Sequence, residues 1–268
     1  MRLFVLRFFC LVMIASLFGC TEEASAPKQK AAPSPKQQKT ATAQKTQPRQ
    51  EQAQTRETKI WPFLKEIQET QSLADNLTAK NYMLIFDGSG SMRDSKCSGG
   101  RRKIDVAKEA VVEWSKTVPG DANLGLVAFH GGGWSHLPLS TGQREDFIRT
   151  VQGIVPGGGT PLSRAFGFTY EAFTRQAQRQ LGYGEYTIVV VTDGIANSER
   201  LLSKYVNFIL ARTPISIYSI GFCIGPQHSL NQPGRTIYKA ADNPAQLREG
   251  LREVLAESET FDIAEFSQ

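Results

Sequence analysis

The chain has 268 residues, 31 Lys and Arg against 26 Asp and Glu, a formal net charge of +5 and 40% hydrophobic residues. The positive excess lies at the start: residues 1–19 contribute +2 and residues 20–59 contribute +4, which leaves −1 over residues 60–268. A folded part of that charge is not a basic nucleic-acid surface, and its 209 residues are enough for one domain with its own core.

Arg2 and Arg7 precede an apolar run from Phe8 to Phe18 that is too short to span a membrane, the pattern of an export signal. The stretch Leu17-Phe18-Gly19-Cys20 resembles a bacterial lipobox, which makes residues 1–19 a lipoprotein signal peptide and Cys20 the lipidated first residue of the mature protein. An ordinary signal peptide or a short uncleaved anchor is the alternative. Several acyl chains on Cys20 would hold the protein to a membrane more firmly than one chain can. The location this implies is the bacterial cell envelope, facing the periplasm or the exterior. With Thr21 after the cysteine, it is the outer membrane in a Gram-negative source.

Residues 20–59 are built from Ala, Pro, Lys, Gln, Thr and Ser with almost no large apolar side chain, a composition that cannot offset the entropy of ordering. They are expected to form a disordered tether. Residues 60–80 are expected to form an N-terminal helical extension, with Ile60, Leu64, Ile67, Ala74 and Leu77 near one face.

From Asn81 onward short apolar runs alternate with helical patterns. Strands are expected at 82–86, 124–130, 137–140, 186–192, 215–221 and 236–239, and helices near 104–117, 144–151, 162–180, 199–211 and 244–256. Residues 81–258 thus read as one α/β domain, a doubly wound, mostly parallel six-stranded sheet with helices on both faces and one short antiparallel edge strand. Residues 259–268 are left as a C-terminal tail.

At the end of the first expected strand stands Asp87-Gly88-Ser89-Gly90-Ser91-Met92. One carboxylate and two hydroxyls at alternate positions on a glycine-bearing turn form a cluster of hard oxygens, suited to a small hard dication such as Mg²⁺. Thr160, in Pro156-Gly157-Gly158-Gly159-Thr160-Pro161, and Asp193, after Ile188-Val189-Val190-Val191-Thr192, stand where an open parallel sheet brings loops to the same edge. Taken singly, Asp87 and Asp193 read as acids that cap the helices following their strands.

Together these residues resemble the metal-ion-dependent adhesion site of the von Willebrand factor A family, an Asp-x-Ser-x-Ser turn joined by a distant Thr and Asp. Asp87, Ser89, Ser91, Thr160 and Asp193 fill all five positions. The resemblance implies bound Mg²⁺, with Mn²⁺ as a substitute, and a protein partner that supplies an Asp or Glu side chain to the metal. It also implies a binding module that is not an enzyme, and a monomer is expected.

The segment after Met92 carries Arg93, Lys96, Arg101, Arg102 and Lys103 against Asp94 alone. Either it is a solvated charged loop or Arg93, Lys96, Arg101 and Arg102 form a rim that attracts an acidic partner segment. Trp134, after Gly131-Gly132-Gly133, is either an exposed partner anchor on that rim or a packed indole. Cys97 and Cys223 are expected on the metal-bearing edge and, in an exported protein, to form a disulfide; two free thiols are the alternative. His130, His136 and His228 lack a regular ligand spacing and read as turn or packing residues.

Two other functions compete with metal-bridged binding. One is an envelope scaffold in which the metal is only structural. The other is a Mg²⁺-dependent hydrolase, disfavoured because no Gly-x-Ser-x-Gly elbow surrounds Ser89 or Ser91 and no Walker A pattern follows the first strand.

Overall fold

A computed structural model describes residues 60–63 and 72–256. The leader, Cys20, the tether and the C-terminal tail lie outside the described residues. Six strands and five helices follow in order: β1 (Lys80–Gly88), α1 (Lys103–Thr117), β2 (Asn123–His130), β3 (Gly133–Ser140), α2 (Arg144–Gly153), α3 (Leu162–Arg179), β4 (Glu185–Thr192), α4 (Glu199–Arg212), β5 (Ser216–Phe222), β6 (Ile237–Ala241) and α5 (Pro244–Ala256). The sheet order is β3-β2-β1-β4-β5-β6, parallel throughout except for β3, which runs antiparallel to β2 at one edge.

Central strands buried on both faces alternate between two cores. Leu84, Phe86, Val189, Val191 and Ile220 point to the layer that includes Val111, Trp114, Phe147 and Leu251 of α1, α2 and α5. Met83, Ile85, Ile188, Val190 and Ile217 point to the layer that includes Phe166, Phe173, Val206 and Ile209 of α3 and α4. The period of two along each strand thus feeds two hydrophobic layers, and the sheet holds both.

The chain leaves β1 toward β2 on one side, and later crosses by α3 to place β4 on the other side of β1. Connections therefore diverge between the carboxyl ends of β1 and β4, the place where an open α/β sheet leaves a crevice for a ligand.

Two expectations change. Residues 60–80 do not form the expected helix where they are described: residues 60–63 make a turn closed by Phe63 N–H to the Ile60 carbonyl, Phe63 is left-handed at φ 58°, and residues 72–79 are not helical. Their polar groups are satisfied elsewhere. Trp61 is buried, donates Nε1 to Thr174 Oγ1 at 2.9 Å and meets the Tyr186 ring edge-on, while Arg179 and Gln180 donate to the carbonyls of Ser72, Asn76 and Ala79. Of the residues expected on that helical face, Leu64 and Ile67 lie outside the described residues and Ile60 is exposed; the contacts to α3 come from Trp61 and from the carbonyls of the 72–79 stretch.

The second change is that β3 begins at Gly133, not Leu137. His130 pairs with Gly133 across a two-residue connection, and Trp134 and His136 continue the ladder opposite Phe129 and Val127. A two-residue hairpin leaves no room for a loop there.

Candidate metal site at the carboxyl edge of the sheet

Strand β1 delivers Asp87 into the crevice with no solvent exposure. Its Oδ1 accepts the Ser89 backbone N–H at 2.8 Å and its Oδ2 accepts the Thr192 hydroxyl at 2.6 Å. Burial pushes the carboxyl up to about 6, and the hydrogen bonds from Ser89 and Thr192 hold it from rising further.

Past Gly88 the chain turns through a single 3-10 turn, Gly90–Arg93, which carries Ser91 back toward β4. The Ser91 hydroxyl donates to Asp193 Oδ1 at 2.6 Å, and Ser89 Oγ lies 3.0 Å from Ser91 Oγ. A hydroxyl has one proton. Because that of Ser91 is committed to Asp193, Ser89 donates to Ser91, and the two serines form a directed chain ending on the carboxylate.

Thr160 reaches the same point from the loop between α2 and α3. That loop is laced to the turn by Gly90 N–H to the Gly158 carbonyl at 3.0 Å and by Gly157 N–H to the Gly88 carbonyl at 2.8 Å. Such closeness requires glycine, since a Cβ on Gly157 would sit 2.8 Å from the Gly131 Cα. Asn197 fixes Thr160 on both sides, accepting its backbone N–H at 2.8 Å and donating its own to the Thr160 carbonyl at 2.9 Å.

At Gly194 a Cβ would lie 3.4 Å from Thr160 Oγ1 and 3.6 Å from Ser91 Oγ. The two hydroxyls therefore border one small space beside Asp193 that a side chain would enter. All five residues expected at the site are brought together: two carboxylates and three hydroxyls, drawn from β1, the 3-10 turn, the loop before α3 and the end of β4. The donors are hard and oxygen-only, which fits a Mg²⁺ or Mn²⁺ ion and not a soft one.

Four supporting residues escaped the sequence reading. Thr192 and Asn197 hold Asp87 and Thr160. His228 is buried, lies 3.1 Å from the Gly194 carbonyl through Nε2, and accepts the Leu230 N–H at Nδ1, which leaves Nε2 as the donor to that carbonyl. Lys103 donates Nζ to Asp193 Oδ2 at 2.9 Å with both side chains buried. Its position was a signal: a lysine at the first residue of a helix opposes the helix dipole, so a lysine placed there calls for an acidic partner.

The basic rim is correspondingly smaller. Arg101 pairs with Glu109, Arg102 with Asp105, both acids of α1, and Lys103 is turned inward. Matching charges one and two turns along the same helix account for them. Of the cations expected on the rim, Arg93 and Lys96 remain beside Asp94, and the Arg93 guanidinium donates to the Pro156 carbonyl at 3.1 Å. Trp134 is half-buried, with its ring edge-on to Phe129 and Phe168 and under the guanidinium of Arg164, so it is packed and does not stand out as an anchor. Cys97 and Cys223 form the expected disulfide, with S–S 2.00 Å, and join the basic loop to the end of β5.

Comparison with known proteins agrees with this architecture. Residues 82–195 match the family model described as von Willebrand factor type A domain. The uncharacterized protein YwmD of Bacillus subtilis is 31% identical over 138 residues, covering 45% of this chain and 58% of YwmD. A von Willebrand factor type A structure from Catenulispora acidiphila superposes with a TM-score of 0.54 at 20% identity, over 68% of this chain and 43% of that one. The manganese-loaded TRAP protein of Plasmodium vivax superposes with a TM-score of 0.50 at 20% identity, over 69% and 74%. The chain spans just over half the length of YwmD and less than half of the Catenulispora protein. The six-stranded sheet, with β3 antiparallel at its edge, and the match over residues 82–195 give this chain the fold of a von Willebrand factor A domain.

Proposed function

We propose that the domain is a binding module held in the cell envelope by lipid on Cys20, and that it grips a partner protein through a divalent ion bridging to an Asp or Glu of that partner. One observation carries the reading: Asp87, Ser89, Ser91, Thr160 and Asp193, spread over 107 positions of sequence, meet at the crevice between β1 and β4. Ser89, Ser91 and Thr160 would hold Mg²⁺ or Mn²⁺ by hydroxyl oxygen, with Asp87 and Asp193 supplying the negative charge. When bound, the ion supplies an electrophilic point that a partner carboxylate can fill.

The chain's own residues do the rest. Thr192 and Ser89 orient the Asp87 carboxylate; Asp193 accepts the Ser91 O–H, which turns the lone pairs of Ser91 Oγ away from Asp193; Asn197 sets the Thr160 backbone. A site whose side chains are held by such hydrogen bonds has a lower ordering cost of binding.

The test is capture from a bacterial envelope extract by the full chain in mild detergent, in Mg²⁺ and in EDTA, beside Thr160→Ala. A partner retained by the wild type in Mg²⁺ and lost in EDTA and in Thr160→Ala is the expected result. Capture indifferent to both overturns metal-bridged binding and leaves a metal that serves only the fold.

A further inference from the structure

Lys103 is unlike the other cations of its segment. It is 5% exposed, opens α1 where the helix dipole is positive, and spends its ammonium on Asp193. The charges hydrogen-bonded into the cluster are those of Asp87, Asp193 and Lys103, which sum to −1. A divalent ion added to that set leaves +1. Without the lysine the same ion would leave the site neutral.

We infer that Lys103 is a resident cation of the site, one that keeps Asp193 engaged without metal, opposes the divalent ion, and leaves the loaded site with a positive charge for a partner carboxylate to neutralise. The inference rests on the metal reading above and adds a determinant of affinity and ligand choice to it. The geometry supports both halves. Asp193 uses Oδ1 for Ser91 and Oδ2 for Lys103, so the lysine and the serine hold one carboxylate between them. An ammonium bonded to that carboxylate shares its field with any ion the serine ligates, and two like charges so close in a buried setting repel strongly. Lys103 is therefore a positioning residue for Asp193 and a restraint on the metal.

The experiment is Mn²⁺ titration of the full chain in mild detergent, read by electron paramagnetic resonance of the free ion, for wild type, Lys103→Gln and Lys103→Arg. The Gln variant keeps an N–H donor for Asp193 and removes the charge; the Arg variant keeps the charge. Lys103→Gln is expected to bind Mn²⁺ at least about tenfold more tightly, with Lys103→Arg close to wild type. Binding that appears only in Lys103→Gln supports the same conclusion. Equal or weaker binding by a folded Lys103→Gln, with wild type binding normally, overturns the inference alone. Absence of Mn²⁺ binding in wild type and all variants overturns the metal reading as well. If Lys103→Gln fails to fold, the pair Asp193→Asn and Lys103→Gln/Asp193→Asn decides, since the double variant replaces the ion pair with two neutral amides. The inference requires the double variant to bind Mn²⁺ more tightly than Asp193→Asn, and the reverse order refutes it.

Discussion

Replacing Asp87 by Asn isolates the cost of building this site. Asp87 is fully buried and its carboxyl is raised from 3.8 to about 6, chiefly by burial. A raised acid favours folding while protonated, so the stability contributed by Asp87 is fully present below about 3.8 and is lost as pH rises through about 6. The full loss is about 3 kcal/mol for a shift of that size, and about 1.4 kcal/mol of it falls between about pH 5 and 7.5. In EDTA the melting temperature of the wild type should therefore drop by roughly 3–5 °C over that interval beyond any drop in Asp87→Asn, because the amide cannot ionise. Near neutral pH without metal, Asp87→Asn should be the more stable protein. Its amide still accepts one of the two hydrogen bonds, from Ser89 or Thr192, and the second partner faces an N–H₂ group, so the gain should be about 1–2 kcal/mol, short of the whole. Saturating Mg²⁺ should raise the wild type and leave the variant unmoved, since binding to the folded state alone is what stabilises. Thermal melts of both proteins at the two pH values, with EDTA and with Mg²⁺, test all of this. Parallel pH dependence for the two proteins in EDTA would refute the claim that a buried, metal-free carboxylate burdens the fold.

Two further predictions bear on the surroundings of the site. The Cys97–Cys223 disulfide closes a segment with a sequence separation of 126, so Cys97→Ser or reduction should cost about 3 to 5 kcal/mol in urea denaturation, and a thiol assay on the unreduced, denatured chain should find neither cysteine reactive. Arg101→Ala/Arg102→Ala removes two solvent-screened ion pairs and should leave the urea midpoint nearly unchanged; partner capture should persist in the variant, because those charges are already spent on Glu109 and Asp105. Loss of capture in that variant would restore the broad basic rim.

Much of the domain was legible because its signals are local. Thr187 to Val191 is a continuous β-branched run, which suits a strand buried on both faces, and the apolar spacing of 162–179 shows an amphipathic helix. The five oxygen donors were legible for a different reason: they occupy turns at strand ends, and the topology of an open α/β sheet sends those ends to one edge. Where the reading failed, a local pattern had two outcomes. The apolar spacing of 60–80 suits a helix, but at its described ends, 60–63 and 72–79, Trp61 found Thr174 and Tyr186, and the carbonyls at 72, 76 and 79 found Arg179 and Gln180.

Charge shows the division most clearly. Sequence alone determined the number and order of cations after Met92, the alternation of Asp87, Ser89 and Ser91, and the presence of two cysteines to pair. Which cation faces water and which faces Asp193 depends on how α1 is rotated against the sheet, and that rotation is set by the burial of Ile104, Ala107, Val111 and Trp114. Packing of an apolar stripe turned Lys103 inward to Asp193, and acids of the same helix hold Arg101 and Arg102 outside, so the electrostatics of the site were decided by the hydrophobic face of a helix together with the acids it carries.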